Sequence, residues 1–176
     1  GGASTEFIIA IDNSPLFKKS YPFGSQSLIQ KFKPSDPIKN EEIEEINLFF
    51  QKKIHKPVSL LKRYNVTKII GTSGSFECLA RIEANNRHYK TNYHNLNIKH
   101  YTDTIAPMIL KKTIQERKKI HGLAKMRAEN IIITIILINF LIREGLKNIC
   151  VTTFSLKDGI FLNILNKNIT WKKSLL

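Results

Sequence analysis

Residues 6 to 12, EFIIAID, form a short apolar run that stops at Asn13, Ser14 and Pro15, and Leu16 to Tyr21 resumes in strand style. This pattern predicts a β-hairpin, closed by Pro22 and Gly24. From Pro34 to Tyr64 the period changes. Ile43, Ile46, Phe49, Phe50 and Ile54 recur at three and four, Glu41, Glu42, Glu44 and Glu45 stand early, and Lys52, Lys53 and Lys56 stand late. That spacing predicts helix, and the charges complement its dipole. Residues 66 to 70 read as a short buried strand running into GTSGS, followed by a helix over 76 to 82. Residues 84 to 98, polar and rich in Asn and Tyr, read as a loop.

Helices are expected over 101 to 120 and 124 to 144, the second so apolar that it must be covered nearly all round. Gly145 suits its C-terminus. KNICVTT (147 to 153) reads as a second buried strand and 156 to 165 as a closing helix, with a basic surface coda over 166 to 176. Strands and helices alternate in the second half, which predicts an α/β layered domain with a partly parallel sheet. A chain of 176 residues is enough for one domain with its own core, and no internal repeat divides it.

The longest apolar stretch, Ile131 to Ile142, contains Thr134 and Asn139 and is bracketed by Glu129 and Arg143. A bilayer span needs about 20 apolar residues, so no membrane partner is expected. Cys78 and Cys150 lie among apolar residues without metal or CxxC spacing, which suits buried free thiols in a reducing, cytoplasmic setting. Lys and Arg number 28 against 14 Asp and Glu, a formal charge of +14. Such an excess attracts polyanions, although a lysine-favouring codon bias would produce the same count.

GGASTE and GTSGS are the segments with chemistry to offer. Backbone N–H groups converge on an anion only where glycines let it approach closely, and Ser or Thr hydroxyls add neutral donors. Neither segment has the spacing of a Walker loop or of a dinucleotide fingerprint. His88, His94 and His100 are six apart, which fits neither a helix face nor a zinc motif, and no carboxylate stands between the first and the last of them.

GGASTEF resembles the DIGGGSTE phosphate loop of the Ppx/GppA phosphatases, the exopolyphosphatases and guanosine pentaphosphate phosphohydrolases. The likeness continues in order through SYPFGSQSL (20 to 28), IIGTSGSFECLARI, ERKKIHGL with MRAENIII (116 to 133), and TFSLKDGIFLNIL (153 to 165), which is similar to the family's YALREG segment. The resemblance implies an actin-like, ribonuclease H-like α/β fold: a mixed sheet starting with a hairpin and flanked by helices. It also implies that residues 1 to 176 are a single domain corresponding to the second half of a two-domain core. The first domain, with the usual catalytic base, would lie upstream of Gly1.

Carried over residue by residue, Gly1, Gly2, Ala3, Ser4 and Thr5 would line the terminal phosphate, with Gly71, Thr72, Ser73, Gly74 and Ser75 as the second loop. Glu6 would take the place of the motif's acidic residue, a catalytic position that helps hold Mg²⁺ or orients the attacking water. Glu116, Arg117 and Arg127 would be cleft charges or, equally, internal ion pairs; Glu77 would be a helix cap. The substrate implied is polyphosphate or guanosine pentaphosphate, the partners the missing N-terminal domain and a homodimer mate. Ala3 replaces a glycine; Glu129 replaces an Asp, and Lys157 and Asp158 an Arg and a Glu, swaps that keep charge, though Lys157 lacks the fork with which Arg grips a phosphate. A basic module that binds polyanions or nucleic acid without catalysis is the alternative the charge supports.

Overall fold

The computed structural model describes residues 2–12, 14–85 and 91–165. The expected hairpin is present: β1 (Thr5–Ile11) pairs antiparallel with β2 (Ser14–Tyr21), with a register shift between Ile9 and Ala10. Three helices follow, α1 (Ser25–Phe32), α2 (Asn40–Lys53) and α3 (His55–Arg63). The helical stretch expected over 34 to 64 is therefore two helices, broken at fully buried Ile54, whose backbone leaves the helical region.

β3 (Lys68–Thr72) runs into α4 (Gly74–Glu83), and β4 (Tyr93–Leu96) follows. α5 (Ile98–His100) continues through a π-turn, Tyr101–Ile105, into α6 (Ala106–Leu110). α7 (Ile114–Arg117) is a separate turn of helix, because Thr113 starts it afresh with a reciprocal cap to Glu116. After a 3₁₀ turn at Lys125–Arg127 come α8 (Ile131–Arg143), β5 (Asn148–Thr152) and α9 (Leu156–Leu165).

The second sheet has the order β3-β5-β4, with β3 parallel and β4 antiparallel to β5. β3 and β5 thus lie side by side and parallel, joined by a long connection that carries β4 as well as helices. β5 is buried as expected, but β3, at the edge of the described sheet, exposes Lys68, Ile70 and Thr72, so the buried strand expected over 66 to 70 is not buried. β4 occupies residues expected to be loop. It is an edge strand, and its sequence YHNL carries none of the apolar alternation of a covered one.

α8 is covered nearly all round, with Ile131, Ile132, Ile133, Ile135, Ile136, Ile138, Phe140 and Leu141 buried. Its end is set by Gly145 at φ 117°, the left-handed position glycine favours. Phe50 of α2 meets Phe140 at a centroid distance of 6.0 Å, and Phe23 packs edge-on against Phe49 at 5.2 Å, so helices and hairpin share one aromatic seam. Cys78 and Cys150 are free and buried, as expected, and burial pushes the Cys78 thiol up. No helix of the described residues is long and apolar enough to cross a membrane. α9 leaves Leu156, Phe161 and Leu165 exposed, as is Ile70 on β3. The coda 166 to 176 lies outside the described residues.

Candidate active site

The first glycine segment is tied to the helix behind it. The Gly2 carbonyl accepts the N–H groups of Gln26 and Ser27, both at 3.0 Å, and the Thr5 hydroxyl donates to the Phe23 carbonyl at 2.8 Å. Two of the unpaired N–H groups at the start of α1 are thereby satisfied by the loop itself, which fixes how residues 2 to 4 lead into β1. Ala3 is exposed and is not among the residues with positive φ, so its methyl group costs no backbone strain. Gly1 lies outside the described residues.

Glu6 stands next on β1, opposite Ser20 of β2 in the ladder. The Ser4 hydroxyl donates to Glu6 Oε1 at 2.6 Å, and the Ser20 hydroxyl donates to the same oxygen at 2.9 Å. The Ser4 hydrogen bond, helped by that from Ser20, outweighs partial burial and holds the Glu6 carboxyl below the usual carboxylate range. A carboxylate kept ionised on an exposed strand suits a hard cation better than proton abstraction.

The second segment is tighter than a loop. Gly71 and Thr72 close β3, and Gly74 and Ser75 already belong to α4, so the turn is Ser73 alone, at φ 97° and ψ 165°. That region of backbone space is nearly reserved for glycine, and such strain gathers at ligand-binding turns. A Cβ built on Gly71 would stand 2.1 Å from the Phe76 ring, and one on Gly74 would stand 2.9 Å from Arg127 Nη2. The Arg127 guanidinium therefore lies directly against the first residue of α4. Thr72 is anchored through its hydroxyl to the Phe154 carbonyl at 2.8 Å, and Ser75 is buried. We expect Gly71→Ala to cost about 1–3 kcal/mol through overpacking against Phe76, read as a lower urea midpoint with unchanged slope.

The other expected charges are spent within the protein. Glu116 closes the cap of α7, accepting from the Thr113 N–H and hydroxyl at 2.8 Å each. Arg117 is 1% exposed and donates to the carbonyls of Ala128 and Lys112 and to Asp36. Of the three, Arg127 is the one placed at a glycine turn. Glu77 is no cap; it pairs with Arg81 one turn on. Asp158 accepts from the N–H and hydroxyl of Ser155 at the start of α9, while Lys157 and Glu129 are exposed.

His94 has a carboxylate partner after all, because α4 brings Glu83 to β4, and Glu83 also accepts the Asn97 N–H at 2.8 Å. His88 lies outside the described residues, and no group of three metal-ligating side chains forms among those described. The two clearest concavities, one between α2 and α6 beside Asn139, the other at Lys112, Lys119 and His121, include no residue from 2–6 or 71–75. Ser20 is the site residue the sequence reading missed; strand register, matching it to Glu6 across the hairpin, is the signal that could have found it.

The chain is thus an actin-like α/β domain with two glycine segments beside its strands, one ending in a fixed carboxylate and the other lying under an arginine. The chain belongs to the Ppx/GppA phosphatase family, whose model matches residues 1–168. Among solved structures it is similar to an exopolyphosphatase from Cytophaga hutchinsonii, with 27% identity and a TM-score of 0.86, covering 95% of this chain and 55% of that one. A Ppx/GppA family member from Aquifex aeolicus shares the fold at 22% identity and a TM-score of 0.78, covering 97% of this chain and 56% of that one. The chain thus spans little more than half the length of these relatives. No curated protein matches it.

Proposed function

We propose that this chain supplies one half of a phosphoanhydride-hydrolase cleft that releases terminal orthophosphate from polyphosphate or guanosine pentaphosphate by water attack. The observation that carries the reading is Glu6, a carboxylate held ionised by Ser4 and Ser20 at the end of a glycine segment, in a chain of a phosphatase family. Gly1, Gly2, Ala3, Ser4 and Thr5 would cradle the terminal phosphate, and Gly71 to Ser75 the phosphate beyond. Arg127, against Gly74, would meet its negative charge.

The donor set at Glu6 is all oxygen, which fits Mg²⁺, and a bound Mg²⁺ would neutralise phosphate charge and bring water to the site. This chain's own share is to position and to donate: hydroxyls orient the Glu6 carboxylate, and backbone N–H groups hold the phosphate oxygens. A complementary domain, matching the part of the relatives that this chain does not span, would close the cleft and cover Ile70 and α9.

A second reading, binding of polyanions without turnover, draws on the +14 charge. Salt dependence cannot separate the two, because both lose affinity as ionic strength rises. Turnover separates them. Joined at Gly1 to the complementary domain, the protein is expected to release orthophosphate from long polyphosphate or guanosine pentaphosphate with Mg²⁺, whichever substrate the closed cleft admits. Tight binding of both with no release would favour the second reading.

A further inference from the structure

The carboxylate of Glu6 accepts two hydroxyls, and both fall on one oxygen. Ser4 Oγ lies 2.6 Å and Ser20 Oγ 2.9 Å from Oε1, so neither engages Oε2. Ser4 comes from the glycine segment itself, two residues back, whereas Ser20 comes from the neighbouring strand, fourteen residues on. A single hydroxyl would leave the carboxylate able to rotate about its side-chain bond. Two donors from opposite sides of the hairpin hold it in one orientation, and the β1–β2 ladder sets where the second stands.

We propose that Ser20 is a positioning residue for Glu6: with Ser4 it locks the carboxylate so that Oε2 is the oxygen offered to a hard divalent cation. The inference rests on Glu6 being the cation-holding residue of the proposed site. Partners that orient a ligating carboxylate typically carry about 10–100-fold in metal affinity, although they never touch the ion. A hydroxyl can make this contact from Ser or Thr, and Thr is at home on a strand.

The test uses the 176-residue chain and Mn²⁺ alone, a hard cation that carboxylates also suit and that is visible by electron paramagnetic resonance. Glu6→Gln is expected to remove the Mn²⁺ site. Ser20→Ala should weaken Mn²⁺ about tenfold with an unchanged urea midpoint, and Ser20→Thr should restore most of the loss. If Glu6→Gln removes the site while Ser20→Ala binds like the parent, the role of Ser20 is overturned and that of Glu6 stands. If the parent chain binds no Mn²⁺, or Glu6→Gln is without effect, the cation reading of Glu6 falls and takes this inference with it. A Ser20→Ala loss that Thr does not recover, accompanied by a lower urea midpoint, would make Ser20 a structural residue and likewise overturn the proposal.

Discussion

Replacing Arg117 by Ala should cost about 3–5 kcal/mol of folding stability, the range for truncating a large, fully buried side chain. Arg117 heads the largest fully buried side chains, and its guanidinium ties α7 to Lys112 and Ala128 nearby and to Asp36, 81 residues away. Nε donates to Ala128 O at 2.6 Å, Nη1 to Lys112 O at 2.8 Å, and Nη2 to Asp36 Oδ1 at 3.2 Å. Asp36 also accepts the Ile114 N–H, at 2.9 Å from either oxygen. Burial pulls the arginine pKa down and Asp36 opposes it, yet a guanidinium stays charged in such a setting. Truncation would orphan the buried Ala128 carbonyl and the half-buried Lys112 carbonyl, leave Asp36 short of its cation and open a cavity. Most domains are stable by only about 5–15 kcal/mol, so the loss is a large share of the total. Lys at this position should recover little, because one ammonium cannot replace a three-way fork. Urea unfolding of the three proteins measures this; a loss below about 1 kcal/mol for the Ala variant would remove Arg117 from its keystone place.

Glu6→Gln should lower orthophosphate release by about a hundredfold or more in the protein joined to its complementary domain, while leaving stability within about 0.5 kcal/mol. The amide is nearly isosteric and can still accept from Ser4 and Ser20 through its oxygen. It carries no charge, however, and turns an N–H₂ donor toward any cation or water on the far side. Tripolyphosphate affinity should change far less than turnover, since the backbone donors and Arg127 are untouched. Equal losses in binding and in turnover would instead make Glu6 a residue that shapes the binding loop.

How much of this was legible in the sequence depends on how local the cause is. The Ile-rich run of α8, the hairpin and the parallel strands β3 and β5 follow from residues that are neighbours in the chain, and they form close to where the pattern places them, although only β5 is buried. α1 was not legible, because its start, SQS, is polar and is completed by the carbonyl of Gly2, more than twenty residues away. β4 was missed because an edge strand needs no apolar alternation. The GTSGS segment carries glycines that packing requires: Gly71 makes room for Phe76 and Gly74 for Arg127.

Roles within the site divide the same way. Sequence order marks both glycine segments and Glu6, but not the second hydroxyl on Glu6, which depends on the register of β1 against β2. Glu116 and Arg117 are adjacent in the chain and yet serve separate ends, a helix cap and a buried junction with Asp36, 81 residues away. Adjacency on a short helix says nothing of where two side chains find partners.

The most direct measurement is orthophosphate release from long polyphosphate with Mg²⁺, by this chain alone and by the same chain joined at Gly1 to the complementary domain. The account predicts steady release by the joined protein and little by the 176-residue chain, because one half of a cleft binds phosphate without closing over it. Full turnover by the chain alone, or none by either form, would contradict the claim that these residues are half of a phosphatase site.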